Sequence, residues 1–269
     1  TNRLACKFVG TDNMPRLEVP ATFVSENEIT CETPEWRRGG ITLIETTLNG
    51  IDFSASGVQY MFSIPPRVES ISPTSGPEIG GTLLKIDGLN FRDTEGLGCR
   101  IGGVFVRGVW QSSERLLCTT PATHFGPGSV SVQVTQNGEQ FTRDRLLFQY
   151  DAVINLHSLS PVGGSTDGGT RVIVLGTGFR PSNWLQCKFD TIIVPARWLT
   201  HESILCVTPL HEPGHISVAV TLNGQDFASS DLSFEYAVTS SIVSLSPTAG
   251  SYRGGTRVEI RGSRFKNSS

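Results

Sequence analysis

A few stretches of this 269-residue chain have residue types and spacings that could do chemistry. His211-Glu-Pro-Gly-His215 has the His-Glu-x-x-His order of a zinc peptidase. That chemistry needs both imidazoles on one helical face, with the glutamate as general base. Pro213 and Gly214 forbid the helix, and the matching upstream stretch, His124-Phe-Gly-Pro-Gly128, reads as a plain loop. Gly163-Gly-Ser165 lacks the glycine frame of a nucleophile elbow. Gly176-Thr-Gly178 lacks the third glycine of a dinucleotide loop and opens no helix. Asp167 and Asp190 do not have the spacing of a calcium loop. His157 and His201 stand singly and are expected at surface or turn positions. The expectation is therefore no catalytic residue, no metal set, no cofactor and no enzyme.

The six cysteines are the remaining reactive groups. They fall as Cys6/Cys31, Cys99/Cys118 and Cys187/Cys206, with no Cys-x-x-Cys of the structural-zinc kind. The last two pairs have the same separation, 19 residues. One pair per repeated segment is the pattern of intradomain disulfides, Cys6–Cys31, Cys99–Cys118 and Cys187–Cys206. Disulfides persist in oxidising places, which predicts a secreted or cell-surface protein. Asn267-Ser-Ser269 is a glycosylation sequon.

The elements that carry these residues repeat. Ile71-Ser-Pro73, Gly80-Gly-Thr82, Gly88 and Phe91 return as Leu159-Ser-Pro161, Gly168-Gly-Thr170, Gly176 and Phe179. They return again as Leu245-Ser-Pro247, Gly254-Gly-Thr256, Gly262 and Phe265. A fixed period of this length marks an array of similar units. Later in each unit come Cys31-Glu-Thr-Pro34, Cys118-Thr-Thr-Pro121 and Cys206-Val-Thr-Pro209. The first unit has extra residues between its cysteines, around Asp12–Leu17, as a surface loop permits. Phe23, Trp110 and Trp198 stand at matching places, and the tryptophans are expected to pack in the core or on the cysteines. Each unit closes on alternating strands: Ile216, Val218 and Val220 lead to Asn223-Gly224, as others lead to Asn49-Gly50 and Asn137-Gly138. Asn-Gly between such strands predicts a tight type I′ hairpin turn. The prolines at 73, 161 and 247 are expected in a turn, and the glycine pairs to allow positive φ or a close backbone crossing.

Plentiful glycine (29) and proline (15) suit short strands joined by turns better than helices. Net charge is -3, which gives no basic footprint for nucleic acid. No apolar run is long enough to span a membrane. The joins, such as Ile64-Pro-Pro-Arg67, are short and predict a stiff connection.

Together these motifs resemble the IPT/TIG domain, in its extracellular branch as found in plexin-like and fibrocystin-like surface proteins. The resemblance implies an all-β fold of tandem immunoglobulin-like β-sandwiches in a rod-like array. The expected division is a partial domain at 1–64 lacking its first strands, whole domains at 65–151 and 152–237, and the first strands of another at 238–269. The expected function is that of a non-enzymatic extracellular structural or adhesive protein, a piece of a larger chain whose domains act as spacers and interaction modules. Its partners would be other proteins, further copies of itself, or glycans. The alternatives are a subunit of a cell-surface or ciliary-hair filament and a non-catalytic module of a secreted polysaccharide-acting enzyme.

Overall fold

The computed structural model describes residues 3–10, 16–36 and 38–265. Asn267 and the insertion residues Asp12 to Pro15 lie outside the described residues. The chain divides into two compact units, Thr1–Pro66 and Arg67–Ser269.

The first unit is one antiparallel sheet. Strands β1 (Ala5–Gly10), β2 (Arg16–Ser25), β3 (Glu28–Cys31), β4 (Gly40–Thr47) and β5 (Gln59–Phe62) lie in the order β3-β2-β1-β4-β5. β1 is central, and its Ala5, Cys6 and Phe8 are buried with Leu4. Tyr60 and Phe62 meet Phe8 edge-on, and Trp36 stacks flat on Phe62 at 4.9 Å. Cys6 is joined to Cys31. β3 closes the sheet with its outer edge unpaired among the described residues.

The second unit holds two sandwiches and a terminal hairpin. The second repeat comprises β6 (Arg67–Ser72), β7 (Ser75–Pro77), β8 (Leu83–Leu89), β9 (Gly98–Ile101), β10 (Val104–Arg107), β11 (Val109–Ser112), β12 (Arg115–Thr119), β13 (Gly128–Thr135) and β14 (Leu146–Asp151). Its two sheets run β10-β9-β13-β14-β7 and β11-β12-β8-β6. The third repeat comprises β15 (Asn155–Ser160), β16 (Gly163–Ser165), β17 (Arg171–Thr177), β18 (Gln186–Phe189), β19 (Ile192–Thr200), β20 (Ser203–Val207), β21 (Gly214–Thr221) and β22 (Ala228–Ala237). Here the long β19 belongs to both layers and joins them. The hairpin is β23 (Ser241–Ser246) with β24 (Glu259–Ser263). No helix occurs among the described residues, and so none long and apolar enough to cross a membrane.

Strand alternation sets the cores. On β17, Val172 and Val174 are fully buried while Arg171, Ile173 and Leu175 face outward, the period-2 pattern of a sheet with one covered face. In each sandwich a cystine crosses the core between the layers: Cys99–Cys118 links β9 to β12, and Cys187–Cys206 links β18 to β20. The Ser-Pro bonds at 73, 161 and 247 are cis. In the two sandwiches the first strand ends there. The chain then crosses to the other layer, where β7 and β16 pair parallel with the last strand. Both glycines of each Gly-Gly-Thr stretch have positive φ.

Two expectations are corrected. The Asn-Gly turns are not type I′, because only Gly50, Gly138 and Gly224 have positive φ, whereas that turn needs it at both central residues. Each asparagine instead turns its carbonyl inward: Asn223 Oδ1 accepts from the backbone amides of Gln225 and Asp226 at 3.0 and 2.8 Å. This Asx arrangement satisfies the backbone without a left-handed Asn. Trp110 is also not a core residue: it is exposed on the edge strand β11. Trp198 is half-buried against its core.

Candidate functional site

The Asn-Gly turns are built by two residues that flank each pair. Thr47, Thr135 and Thr221, two positions before each asparagine, accept from the glycine amide with their hydroxyl oxygens at 2.9, 3.0 and 3.0 Å. Three positions after it, Asp52, Gln140 and Asp226 accept from the asparagine Nδ2. The sequence reading missed both flanking positions. The signal was present, since a threonine precedes all three Asn-Gly pairs at one spacing.

In the third repeat this turn also reaches across to the second. Asn223 Nδ2 donates to Ser75 O at 2.8 Å, and Thr82 Oγ1 donates to Asp226 Oδ2 at 2.6 Å. With its amide oriented to match, Gln225 exchanges two hydrogen bonds with the backbone of Leu83. A side chain here copies the pairing of a strand at the entry of β8. On another side of the joint, Arg180 clamps Asp151 with Nε to Oδ1 at 2.6 Å and Nη2 to Oδ2 at 2.7 Å. Asp151 is only 5% exposed, so this is a bidentate, largely desolvated pair, the strong form of the contact.

The cleft beside the turn has a volume of about 590 Å³. Gly76, Gly81, Val153, Gln225 and Phe227 help to line it. Its ionisable side chains are Asp151 and Asp226, and both are already engaged as described. The arrangement fixes one repeat against the next and presents no free acid–base pair to a substrate.

The residues with possible chemistry are dispersed. His211 lies in the loop before β21, stacked on Tyr236 at 4.9 Å, with Nδ1 at 2.8 Å from Glu212 O. His215 is exposed on β21 beside Ser233. His157 is exposed on β15, and His201 sits in the turn after β19. No group of three metal-ligating side chains occurs among the described residues. Burial raises the phenols of Tyr150 and Tyr236 above their ordinary pKa, although for Tyr236 a hydrogen bond with Thr208 works the other way. Each donates to a proline carbonyl, Pro121 O at 2.6 Å and Pro209 O at 3.0 Å. These are packing roles. A further repeated contact sets the residue after the first cysteine over the phenylalanine after the turn: Lys7 over Phe53, Arg100 over Phe141 and Lys188 over Phe227.

Comparison with known proteins matches the IPT/TIG domain pattern to residues 66–150 and 155–236. Mouse fibrocystin-L is 28% identical over 256 residues, covering 91% of this chain and 6% of that protein. Rat plexin-A3 is 24% identical over 218 residues, covering 74% of this chain and 11% of that protein. Among solved structures, the plexin A4 full extracellular region aligns with 97% of this chain and 28% of its own, at 17% identity and a TM-score of 0.42. The chain thus spans a small part of the relatives it matches.

Proposed function

This chain belongs to the IPT/TIG domain family, and from that premise we propose that it works outside the cell as a non-catalytic set of interaction modules whose partner is another protein. The observation that carries this reading is the joint between the second and third repeats. Its polar groups are spent on each other: Asp151 on Arg180, Asn223 on Ser75, Asp226 on Thr82. A joint satisfied in this way holds its two modules at a set spacing, and the outward loops and strand edges are left to bind. One such loop carries Phe125, 92% exposed between β12 and β13. Three intradomain cystines support an oxidising location. The relatives matched lend nothing to the filament or enzyme-module alternatives.

The test is protease shaving of intact cells that make the protein, followed by non-reducing peptide mapping. The expected result is release of peptides from the outer surface, linked Cys6–Cys31, Cys99–Cys118 and Cys187–Cys206. Protection from the protease together with six free thiols overturns the reading.

A further inference from the structure

The same Thr-x-Asn-Gly turn stands in both complete repeats, and one copy is shielded where the other is open. Asn137 is exposed, and its Nδ2 donates to Gln140 Oε1 alone, at 3.3 Å. Asn223 is only 8% exposed. Both protons of its Nδ2 are engaged, by Ser75 O at 2.8 Å and Asp226 Oδ2 at 2.7 Å. Ser75 belongs to the second repeat, and so does Thr82, whose hydroxyl holds Asp226. Within the turn the two copies match. Each asparagine Oδ1 accepts from the backbone amides two and three residues on, and each glycine amide donates to the threonine hydroxyl.

Asparagine before glycine is open to deamidation, because glycine has no Cβ to hinder attack by its own amide. A base takes the proton of the glycine N–H, and that nitrogen attacks the asparagine Cγ. The new N–Cγ bond closes a five-membered succinimide. The Cγ–Nδ2 bond breaks, and the nitrogen leaves as ammonia with a proton from water. Water then opens the ring to aspartate or isoaspartate. To react, the glycine amide must leave the threonine hydroxyl, and the asparagine side chain must leave its turn. At Asn137 that movement goes into solvent. At Asn223 it also breaks the bond to Ser75 and displaces the partner of Asp226, so it requires the joint to open. The product puts a carboxylate where an amide donated to Ser75 O and to the Asp226 carboxylate. Two acceptors and a like charge then oppose closure.

We propose that Asn223 is a latent deamidation site gated by the joint between the second and third repeats. The closed joint protects it. An opened joint leaves a turn equivalent to that at Asn137, and conversion of Asn223 then keeps the joint from re-forming. An opening is thereby recorded in covalent form. The inference concerns the joint alone and holds whatever the modules bind.

The test incubates the whole chain in mildly alkaline buffer and follows both sites by mass-spectrometric peptide mapping. Asn223 is expected to convert about tenfold or more slowly than Asn137, as a joint open a tenth of the time or less dictates. In denaturant the two rates should converge. Arg180→Ala and Thr82→Val loosen the joint from its two sides without touching the asparagine. Each should speed conversion of Asn223 about fivefold or more, with Asn137 unchanged. Thr82 lies in the second repeat, so a rise in Thr82→Val is not unfolding of the third, and unfolding of the second would show at Asn137. In Asn223→Asp, which copies the product, hydrogen exchange should rise across β7, whereas Asn137→Asp should leave β7 as it is. Four results overturn the proposal. They are equal rates in the folded wild type, rates that stay apart in denaturant, an Asn223→Asp joint as protected as the wild type, or loosened variants that convert Asn223 no faster. The last would make Trp184, which packs beside Gly224 where Gly138 has open space, the guard instead of the joint.

Discussion

The second and third repeats bury the same positions and differ at their rims. Leu84, Ile86, Phe91, Cys99, Cys118 and Phe148 have buried counterparts in Val172, Val174, Phe179, Cys187, Cys206 and Phe234. Yet the strand that is continuous as β19 is broken into β10 and β11 at Gly108, where the third repeat has Ala196. The connection closed by residues 222–227 in the third repeat takes 136–145 in the second. The indole of Trp110 is exposed while that of Trp198 is half-buried. Interior positions are held by many neighbours, so a change of Leu to Val is absorbed. A rim position is set by one or two contacts, and one residue there decides the local structure.

The comparison breaks most readily at the cores. Phe148→Ala and Phe234→Ala are each expected to cost about 3–5 kcal/mol, the usual range for emptying a buried aromatic site. Denaturant unfolding gives the cost, and hydrogen exchange assigns it to one repeat or the other. Costs differing by more than about 1 kcal/mol would mean that matching burial conceals unequal packing. The joint comes next. Arg180→Ala strands the buried Asp151 carboxylate and is expected to cost about 1–2 kcal/mol, below the cost of breaking a fully buried pair because Arg180 is itself partly exposed. Exchange should rise at residues 152–155 and 75–77 and stay unchanged at Val132 and Val218. The third repeat has Ala237 where the second has Asp151, so this clamp has no counterpart after β22.

Strand alternation made the fold legible. Val172, Val174, Val218 and Val220 could be assigned to one face by period alone, and the Gly-Gly-Thr glycines by their need for positive φ. The joint was not legible, because its partners are distant in sequence: Asn223 meets Ser75 across 148 residues and Asp226 meets Thr82 across 144. Local spacing carries no information about such a meeting. The turn was misread for a different reason. Asn-Gly is compatible with both a type I′ and an Asx arrangement, and the threonine two residues earlier, which supplies a hydroxyl acceptor, favours the second. The exposure of Trp110 depends on which edge its strand ends at, and composition does not encode that.

Tyr150 and Tyr236 sharpen the comparison with a third region, because the first unit has Phe62 in the matching place, opposite Gly40 as Tyr150 is opposite Gly128. Loss of either hydroxyl, in Tyr150→Phe or Tyr236→Phe, is expected to cost about 1 kcal/mol, the worth of one hydrogen bond to a carbonyl. Both phenols are raised in the folded state, chiefly by burial. The unfolded chain therefore releases these protons first. Their contribution is complete below the unfolded value near pH 10 and is lost as pH rises through the folded one. Stability measured from pH 9 upward should fall less steeply in each variant than in the wild type. Equal slopes would show that the hydroxyls stay hydrated in the folded protein.

The smallest effect addresses the tryptophans. Trp110 Nε1 donates to Phe91 O at 3.2 Å. The matching carbonyl, Phe179 O, is approached instead by His201 Nδ1 at 3.3 Å, and Trp198 Nε1 is buried with no acceptor. His201 stands where the second repeat has Ser113, so the imidazole competes with the indole for one oxygen. A buried donor without a partner is a cost, and His201→Ser should remove it by letting Trp198 turn to Phe179 O. The expected change in stability is a gain of less than about 1 kcal/mol, because the histidine contact is lost at the same time. The decisive readout is the Trp198 indole N–H resonance, which should move toward that of Trp110 and exchange more slowly. If it does not move, competition for the carbonyl is not what separates the two tryptophans. The continuous β19, which holds Trp198 in register with Ile204, then becomes the cause, and Ala196→Gly is the substitution that should release it.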